Sequence, residues 1–306
     1  MLIVVADHVG YLHEPAGSIG VTVFFVLSGF LITRVIVEAR DDGTWSFIGF
    51  LGKRFVRLYP ALLVVVMVVS GILLARGYPF DRWAVRSIPA LVYLQNMVPL
   101  VRYEVFGHTW SLAVEEQFYF LWPLALPWVL RRPRPRTVLA LAIVGSAASM
   151  VALPHDWLPM HAYALLAGCA LALGGPVVRR WWCVPVGAVG LASAIAVSPH
   201  LTSVYVYGPM LALPAAVLLV VGAAGGNRLL AIPPLRFVGR ISYALYLWHV
   251  PLIKLEHATH TGDRALRPVA LAIVLATAST LLLEEPLRRA WRRRAARAPK
   301  AVSGWG

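Results

Sequence analysis

Acidic side chains are scarce in this sequence, and so is charge in general. Of its 306 residues only 14 are Asp or Glu and 28 are Lys or Arg, whereas 59% are hydrophobic. The mean hydropathy is +0.72. This composition excludes an ordinary soluble domain and indicates a polytopic membrane protein. The net charge of +14 does not indicate a nucleic-acid partner, because the arginines lie between apolar runs instead of forming one basic patch.

Cysteine is nearly absent as well. The two cysteines, Cys169 and Cys183, fall in or beside predicted membrane spans, so they imply neither a disulfide framework nor a metal site. The patterns CxxC, HExxH and GxSxG do not occur, and there is no phosphate-binding loop of the nucleotide-hydrolase type. We therefore expect no bound metal and no permanently bound cofactor.

Apolar runs of membrane-spanning length recur along the chain. The predicted spans cover residues 20–37, 61–74, 110–130, 137–153, 158–173, 184–197, 204–222, 241–257 and 268–283. With a first helix that ends near residue 9, they total about ten. Residues 88–101 are too short and too polar for a span and are predicted to form a re-entrant or interfacial helix.

The basic residues predict the orientation of this all-α transmembrane bundle. Alternating spans put the clusters at 53–57, 131–136 and 288–300 on one face, which places both termini in the cytoplasm. We expect a membrane domain over residues 1–286 and a basic cytoplasmic tail over 287–306, lying on anionic headgroups or disordered. The first apolar run, residues 1–9, is too short to cross the bilayer, so we expect an upstream start, a truncated chain or a half-span.

One apolar helix carries an unusual group of polar residues at its start. Ser111 and Glu115 lie one helical turn apart, with Tyr119 next on the same ridge. Carboxylates near the start of a spanning helix are costly and indicate a functional site. The alternative is that they are interfacial acids at a helix N-terminus, where the helix dipole stabilises them.

Other polar residues also have two interpretations. Arg54 and Arg57 share a helix face with Lys53 beside them, and they form either a polyanion grip or a topology anchor. His8 ends the first apolar run as an interfacial residue or a base. His249 is predicted to be a structural histidine that faces the bundle interior. Ser28 and Gly29 are predicted to permit close helix packing.

Five motifs in order along nearly the whole chain resemble those of one family. They are DH at 7–8, FFVLSGFL at 24–31, RFVRLYP at 54–60, TWSLAVEEQFY at 109–119 and ISYALYLWH at 241–249. Together they resemble the membrane acyltransferase 3 family, the integral-membrane O-acyltransferases of bacterial polysaccharides, lipopolysaccharides and macrolides.

The resemblance implies a reaction and a set of site residues. Members take an acyl group, commonly acetyl, from a cytoplasmic acyl-CoA and deliver it to a hydroxyl, here of a glycan, glycolipid or macrolide acceptor at the bacterial cytoplasmic membrane. The family's first-helix histidine is His8, its arginine pair is Arg54 and Arg57, and its serine-to-glutamate motif is Ser111 and Glu115. The family's preceding arginine falls before Met1, which favours an upstream start or a truncated chain.

These residues suit such a transfer. His8 is expected to take the hydroxyl proton, and Glu115 to orient it, because Asp7 points about 100° away around a helix. Ser111 is expected to be a donor or positioning group. His8 and Glu115 are expected toward the outer face and the arginines toward the inner one, so direct transfer and an acyl-histidine relay both stay open. Loss of transfer in His8→Ala and Glu115→Gln, but not in His249→Ala, is the expected result.

Two other functions fit the composition. A transporter or flippase of a glycan or lipid-linked substrate also needs many spans with buried polar groups. Its mark is substrate movement without thioester consumption. An inactive truncated paralogue that serves as a membrane partner is the third possibility.

Overall fold

The computed structural model describes residues 1–12, 16–98, 104–152, 157–175, 180–201, 203–257 and 266–297. Within these residues the secondary structure is helical and contains no strand. The helices are α1 (Leu2–His8), α2 (Ala16–Asp41), α3 (Phe47–Ala75), α4 (Phe80–Leu91), α5 (Trp110–Leu130), α6 (Pro135–Ala152), α7 (Leu158–Ala172), α8 (Cys183–Val197), α9 (Val204–Ala224), α10 (Pro233–His257), α11 (Leu266–Ser279) and α12 (Glu285–Arg297).

Five of the described helical segments are long and apolar enough to cross a membrane. They are Ala16–Asp41, Phe47–Ala75, Cys183–His200, Tyr205–Ala224 and Leu266–Trp291. α6 and α7 contain shorter apolar helices, while α5 and α10 reach 21 and 25 residues but carry charged side chains. The predicted all-α class and the presence of several membrane-spanning helices are confirmed. The total of about ten spans and the cytoplasmic termini stay predictions.

The helix predicted over residues 88–101 is displaced toward the N-terminus. α4 covers Phe80–Leu91, and a short 3₁₀ turn, Gln95–Met97, follows it. The chain turns between them because Tyr93 adopts a left-handed φ of 54°. The Gln117 amide of α5 holds this turn by donating to the Tyr93 carbonyl at 3.0 Å and to Asn96 Oδ1 at 2.8 Å. Residues 99–103 lie outside the described part of the chain.

α2 and α7 approach each other closely at two glycines. A Cβ on Gly29 would lie 1.9 Å from the Leu165 carbonyl oxygen, and one on Gly168 would lie 2.0 Å from the Val26 carbonyl oxygen. No side chain fits in either place. The prediction that Gly29 allows close helix packing is therefore confirmed, and the glycine pair fixes α2 against α7.

α5 lies between the two main apolar cores. Val114, Phe118 and Trp122 pack in the core shared with α2 and α7, whereas Leu112 packs in the core shared with α3 and α10. The polar residues of α5 are thus held between the two halves of the bundle.

The predicted basic tail is helical where the structure describes it. A π-helical turn, Thr280–Glu284, joins α11 to α12, and α12 continues to Arg297. The Trp291 ring lies against Gly52 of α3, since a Cβ added there would come within 3.0 Å of it. Residues 298–306 lie outside the described range.

Candidate acyl-transfer site

Three imidazoles from three parts of the chain meet beside α1. The ring of His8 is 5.1 Å from the ring of His249 in α10, and His249 is 5.4 Å from His108, which precedes α5. His8 is exposed, whereas His249 is 0% and His108 is 7% exposed. The cluster therefore has one accessible imidazole and two buried ones.

Backbone carbonyls fix the tautomers of two of these rings. His8 Nδ1 lies 2.7 Å from the Val4 carbonyl oxygen. His249 Nδ1 lies 3.0 Å from the Leu245 carbonyl oxygen and 2.8 Å from that of Tyr246. A carbonyl oxygen only accepts, so both Nδ1 atoms carry the proton in the neutral rings. Each Nε2 is then an acceptor, and that of His8 is available as a base.

A hydroxyl chain joins α5 to α10 next to this cluster. The Tyr246 hydroxyl donates to the backbone carbonyl of His108. Ser111 Oγ lies 2.6 Å from the Tyr246 hydroxyl, and it acts as donor there because the tyrosine proton is already used. Ser111 thus links the start of α5 to α10, while its expected role as a donor or positioning group in the reaction stays a prediction.

The His108 ring differs from its two neighbours. Neither of its nitrogens has a hydrogen-bond partner of normal geometry among the described residues, although the Tyr246 backbone carbonyl lies close enough to act on the ring. Burial lowers the pKa of the His108 imidazole well below its usual range, and the nearby His249 and His8 rings act in the same direction. His108 is therefore neutral near pH 7.

Glu115 lies on the other side of α5 and does not meet His8. Its carboxylate accepts hydrogen bonds from Ser28 of α2 and from Tyr119 one turn along α5. The predicted ridge of Glu115 and Tyr119 is confirmed. The predicted orienting bond from Glu115 to His8 is absent from the described contacts of both residues, because the Val4 carbonyl occupies His8 Nδ1.

Tyr119 connects this carboxylate to the arginine motif. The guanidinium carbon of Arg54 lies 3.2 Å from the centre of the Tyr119 ring, and Arg54 pairs with Glu116 at 3.2 Å. Glu115 and Arg54 therefore flank one side chain instead of lying toward opposite faces as predicted. The expected separation of the two motifs is wrong, since α3 and α5 bring both to the same level.

Arg57 and Lys53 remain unpaired with any described acid. Both are exposed on α3. The positive charge of Arg57 is repelled by Arg54 and by Arg288 of α12, and it is attracted by Glu115. From the sequence, Arg288 was expected only to be part of the basic tail. In the structure Trp291 packs on Gly52, and this contact brings α12 beside α3. No described ion pair holds these cations, so this end of the site carries an excess of positive charge.

Sequence reasoning did not place Ser28, His108 or Arg288 next to the predicted site residues. It predicted a structural role for His249, whose ring lies beside that of His8. In the sequence, Ser28 next to Gly29 indicates only close helix packing. No motif around Ser28 predicts that its hydroxyl binds Glu115 of another helix. Among the described residues, no group of three or more His, Cys, Asp or Glu is arranged to hold a metal ion.

Similar proteins were found for nearly the whole chain. The peptidoglycan O-acetyltransferase OatA of Listeria monocytogenes is 29% identical over 94% of this chain and 54% of its own length. The O-acetyltransferase OatA of Staphylococcus aureus is 27% identical over 89% of this chain and 53% of its own length. The chain spans about half the length of these curated relatives. No solved structure is a significant match.

A family model matches most of the chain. The model described as an acyltransferase domain matches residues 1–283, which include all three clustered histidines and the arginines of α3. This chain therefore belongs to the membrane acyltransferase 3 family.

Proposed function

We propose that this chain is the membrane acyltransferase domain of a bacterial O-acetyltransferase, which moves an acetyl group from acetyl-CoA to a hydroxyl of a cell-wall glycan. The observation that carries the proposal is the state of His8. Its Nδ1 proton is held by the Val4 carbonyl at 2.7 Å, its ring is exposed, and its Nε2 is left as an acceptor. Such a group is suited to general-base catalysis of acyl transfer.

The chemistry needs one proton acceptor and one leaving group. The acceptor hydroxyl gives its proton to His8 Nε2 while its oxygen attacks the thioester carbonyl carbon. The carbon–sulfur bond then breaks, and the leaving thiolate takes the proton from the His8 imidazolium. The products are an O-acetyl ester and free coenzyme A, with no change in oxidation state.

The proposed binding site for the acetyl donor, acetyl-CoA, is the basic group on α3 and α12. Lys53, Arg57 and Arg288 carry charges that no described ion pair neutralises, so they suit the phosphates of coenzyme A. Arg54 is already paired with Glu116 at 3.2 Å and stacked on Tyr119. Its role is to hold α3 against α5, with a weaker direct contribution to phosphate binding.

The proposed acceptor rests on chemistry and on the names of the relatives. The Listeria relative is named as a peptidoglycan O-acetyltransferase, which favours a glycan hydroxyl over a macrolide one. The apolar helices support a multi-pass membrane protein. The bacterial relatives favour the cytoplasmic membrane, where a nascent cell-wall glycan is within reach.

The test uses membranes that carry this chain, acetyl-CoA and a soluble muropeptide. We expect thiol release that depends on the muropeptide, together with a base-labile gain of one acetyl group on the glycan, and loss of both in His8→Ala. Absence of thiol release with every acetyl acceptor in a cell-wall extract would contradict the proposal. Movement of the muropeptide across the membrane without thiol release would support the transporter instead.

A further inference from the structure

His108 is a buried imidazole whose ring nitrogens make no hydrogen bond of normal geometry with the described residues. Its side chain is 7% exposed. Leaving a buried polar atom unpaired is destabilising, and nearly all such atoms in native proteins are paired. A purely structural role would be served better by an apolar ring of the same size.

The surroundings of His108 place it at the reaction centre proposed above. Its ring lies 5.4 Å from that of His249, and His249 lies 5.1 Å from His8. Its other ring neighbour is Tyr246, at 5.1 Å. The Tyr246 hydroxyl also binds the His108 carbonyl and so holds its backbone in place.

The donor count of this cluster singles out His108. The Nδ1 protons of His8 and His249 are used by backbone carbonyls. The Tyr246 and Ser111 hydroxyl protons are used in the hydroxyl chain. Among these described side chains, the N–H of His108 is the donor that remains for a substrate.

We infer that His108 is a further catalytic residue, whose N–H donates a hydrogen bond to the carbonyl oxygen of the transferred acyl group. The inference rests on the proposed function. When the acceptor oxygen bonds to the carbonyl carbon, the π electrons of the carbonyl move to its oxygen, and the His108 N–H stabilises that negative charge. When the carbonyl re-forms, the carbon–sulfur electrons leave with sulfur, which takes the proton from His8. A neutral imidazole acts in this way as an electrophile and transfers no proton itself.

The test compares three variants of the full chain with acetyl-CoA and the muropeptide. His108→Phe keeps an aromatic ring and removes the N–H, and we expect kcat to fall about 10²–10³-fold with KM for acetyl-CoA nearly unchanged. His108→Gln supplies an amide N–H and should recover part of the loss. His161→Phe alters another buried histidine, packed on Trp110 at 4.7 Å, and should keep kcat near that of the wild type.

Thermal stability separates catalysis from structure. Because His108→Phe removes two unpaired nitrogens from the interior, its Tm should equal or exceed that of the wild type. A lowered Tm, or failure to accumulate in the membrane, would assign His108 a structural role and overturn the inference. Full activity in His108→Phe, or no recovery in His108→Gln, would also overturn it while leaving the proposed function intact. A wild-type chain without any acetyl transfer would refute the proposed function itself.

Discussion

The guanidinium carbon of Arg54 lies 3.2 Å from the centre of the Tyr119 ring. The hydroxyl of the same tyrosine donates to Glu115, so one side chain links the arginine motif of α3 to the carboxylate of α5. Ser28 gives the carboxylate its second hydrogen bond. Glu115 is therefore held by two hydroxyls and lies near a cation, and these contacts link α2, α3 and α5.

Removing the Tyr119 hydroxyl tests these contacts. In Tyr119→Phe the ring under Arg54 remains, but Glu115 loses one hydrogen bond. We expect the free energy of unfolding to fall by about 1.5–3 kcal/mol, because the lost bond is to a charged group. The initial rate of acetyl transfer should fall about tenfold as α3 and α5 lose their alignment.

The control is Tyr163→Phe, which removes another buried phenol in α7. Its transfer rate should match that of the wild type. An unchanged rate and Tm in Tyr119→Phe would show that the hydroxyl contributes nothing to either.

Chemical rescue tests the base. His8→Ala should lower the transfer rate by about 10²–10⁴-fold, since general-base catalysis is lost. Because His8 is exposed, imidazole added to the buffer can reach its place and should restore part of the rate. His200→Ala changes an exposed histidine in another region, and its rate should be normal and insensitive to imidazole. A His8→Ala variant with the full rate would rule out His8 as the base.

Apolar runs predicted most of the helices of this fold. The run at residues 158–173 became α7, Leu158–Ala172, and the run at 204–222 became α9. The contact between Tyr119 and Glu115 was also predictable, because residues four apart meet on one helix face. Local spacing therefore gives the elements and the contacts within each one.

Contacts between helices were not predictable in the same way. The ring of His8 meets that of His249, and Glu115 meets Ser28, because of how α1, α2, α5 and α10 pack. A single sequence does not specify the crossing of two apolar helices. The pairing of His8 with Glu115 was a reasonable expectation for two motif residues. The structure instead orients the His8 ring by a hydrogen bond from its Nδ1 to the Val4 carbonyl in the same helix.

The α2–α7 contact gives a stability prediction. In Gly168→Ala the new methyl group would lie 2.0 Å from the Val26 carbonyl oxygen, so the helices must separate. We expect the free energy of unfolding to fall by about 1–3 kcal/mol. The measurement is thermal unfolding in detergent, followed by tryptophan fluorescence.

Gly145→Ala in α6 is the matched control. A Cβ there has nothing within 4 Å, so alanine should leave stability unchanged or raise it by up to about 1 kcal/mol. Equal midpoints for the two variants would contradict the tight contact.

The unpaired cations give a prediction about the donor. Arg57 and Arg288 repel each other, and buried Glu284, which accepts from Thr280 at 3.3 Å, lies close enough to act on both. One carboxylate does not neutralise two guanidinium groups, so the phosphates of coenzyme A are favoured there. Arg57→Gln and Arg288→Gln should each raise KM for acetyl-CoA about tenfold. The kcat should change little, because phosphates bind alike in the ground state and the transition state.

A donor without phosphates makes the test specific. With S-acetyl-pantetheine the same two variants should have the wild-type KM, since the group that the arginines bind is missing. Arg293→Gln changes an exposed arginine further along α12 and should keep the wild-type KM for both donors. If the variants raise KM equally for acetyl-CoA and S-acetyl-pantetheine, the arginines shape the site instead of binding phosphate, and the donor must be held elsewhere.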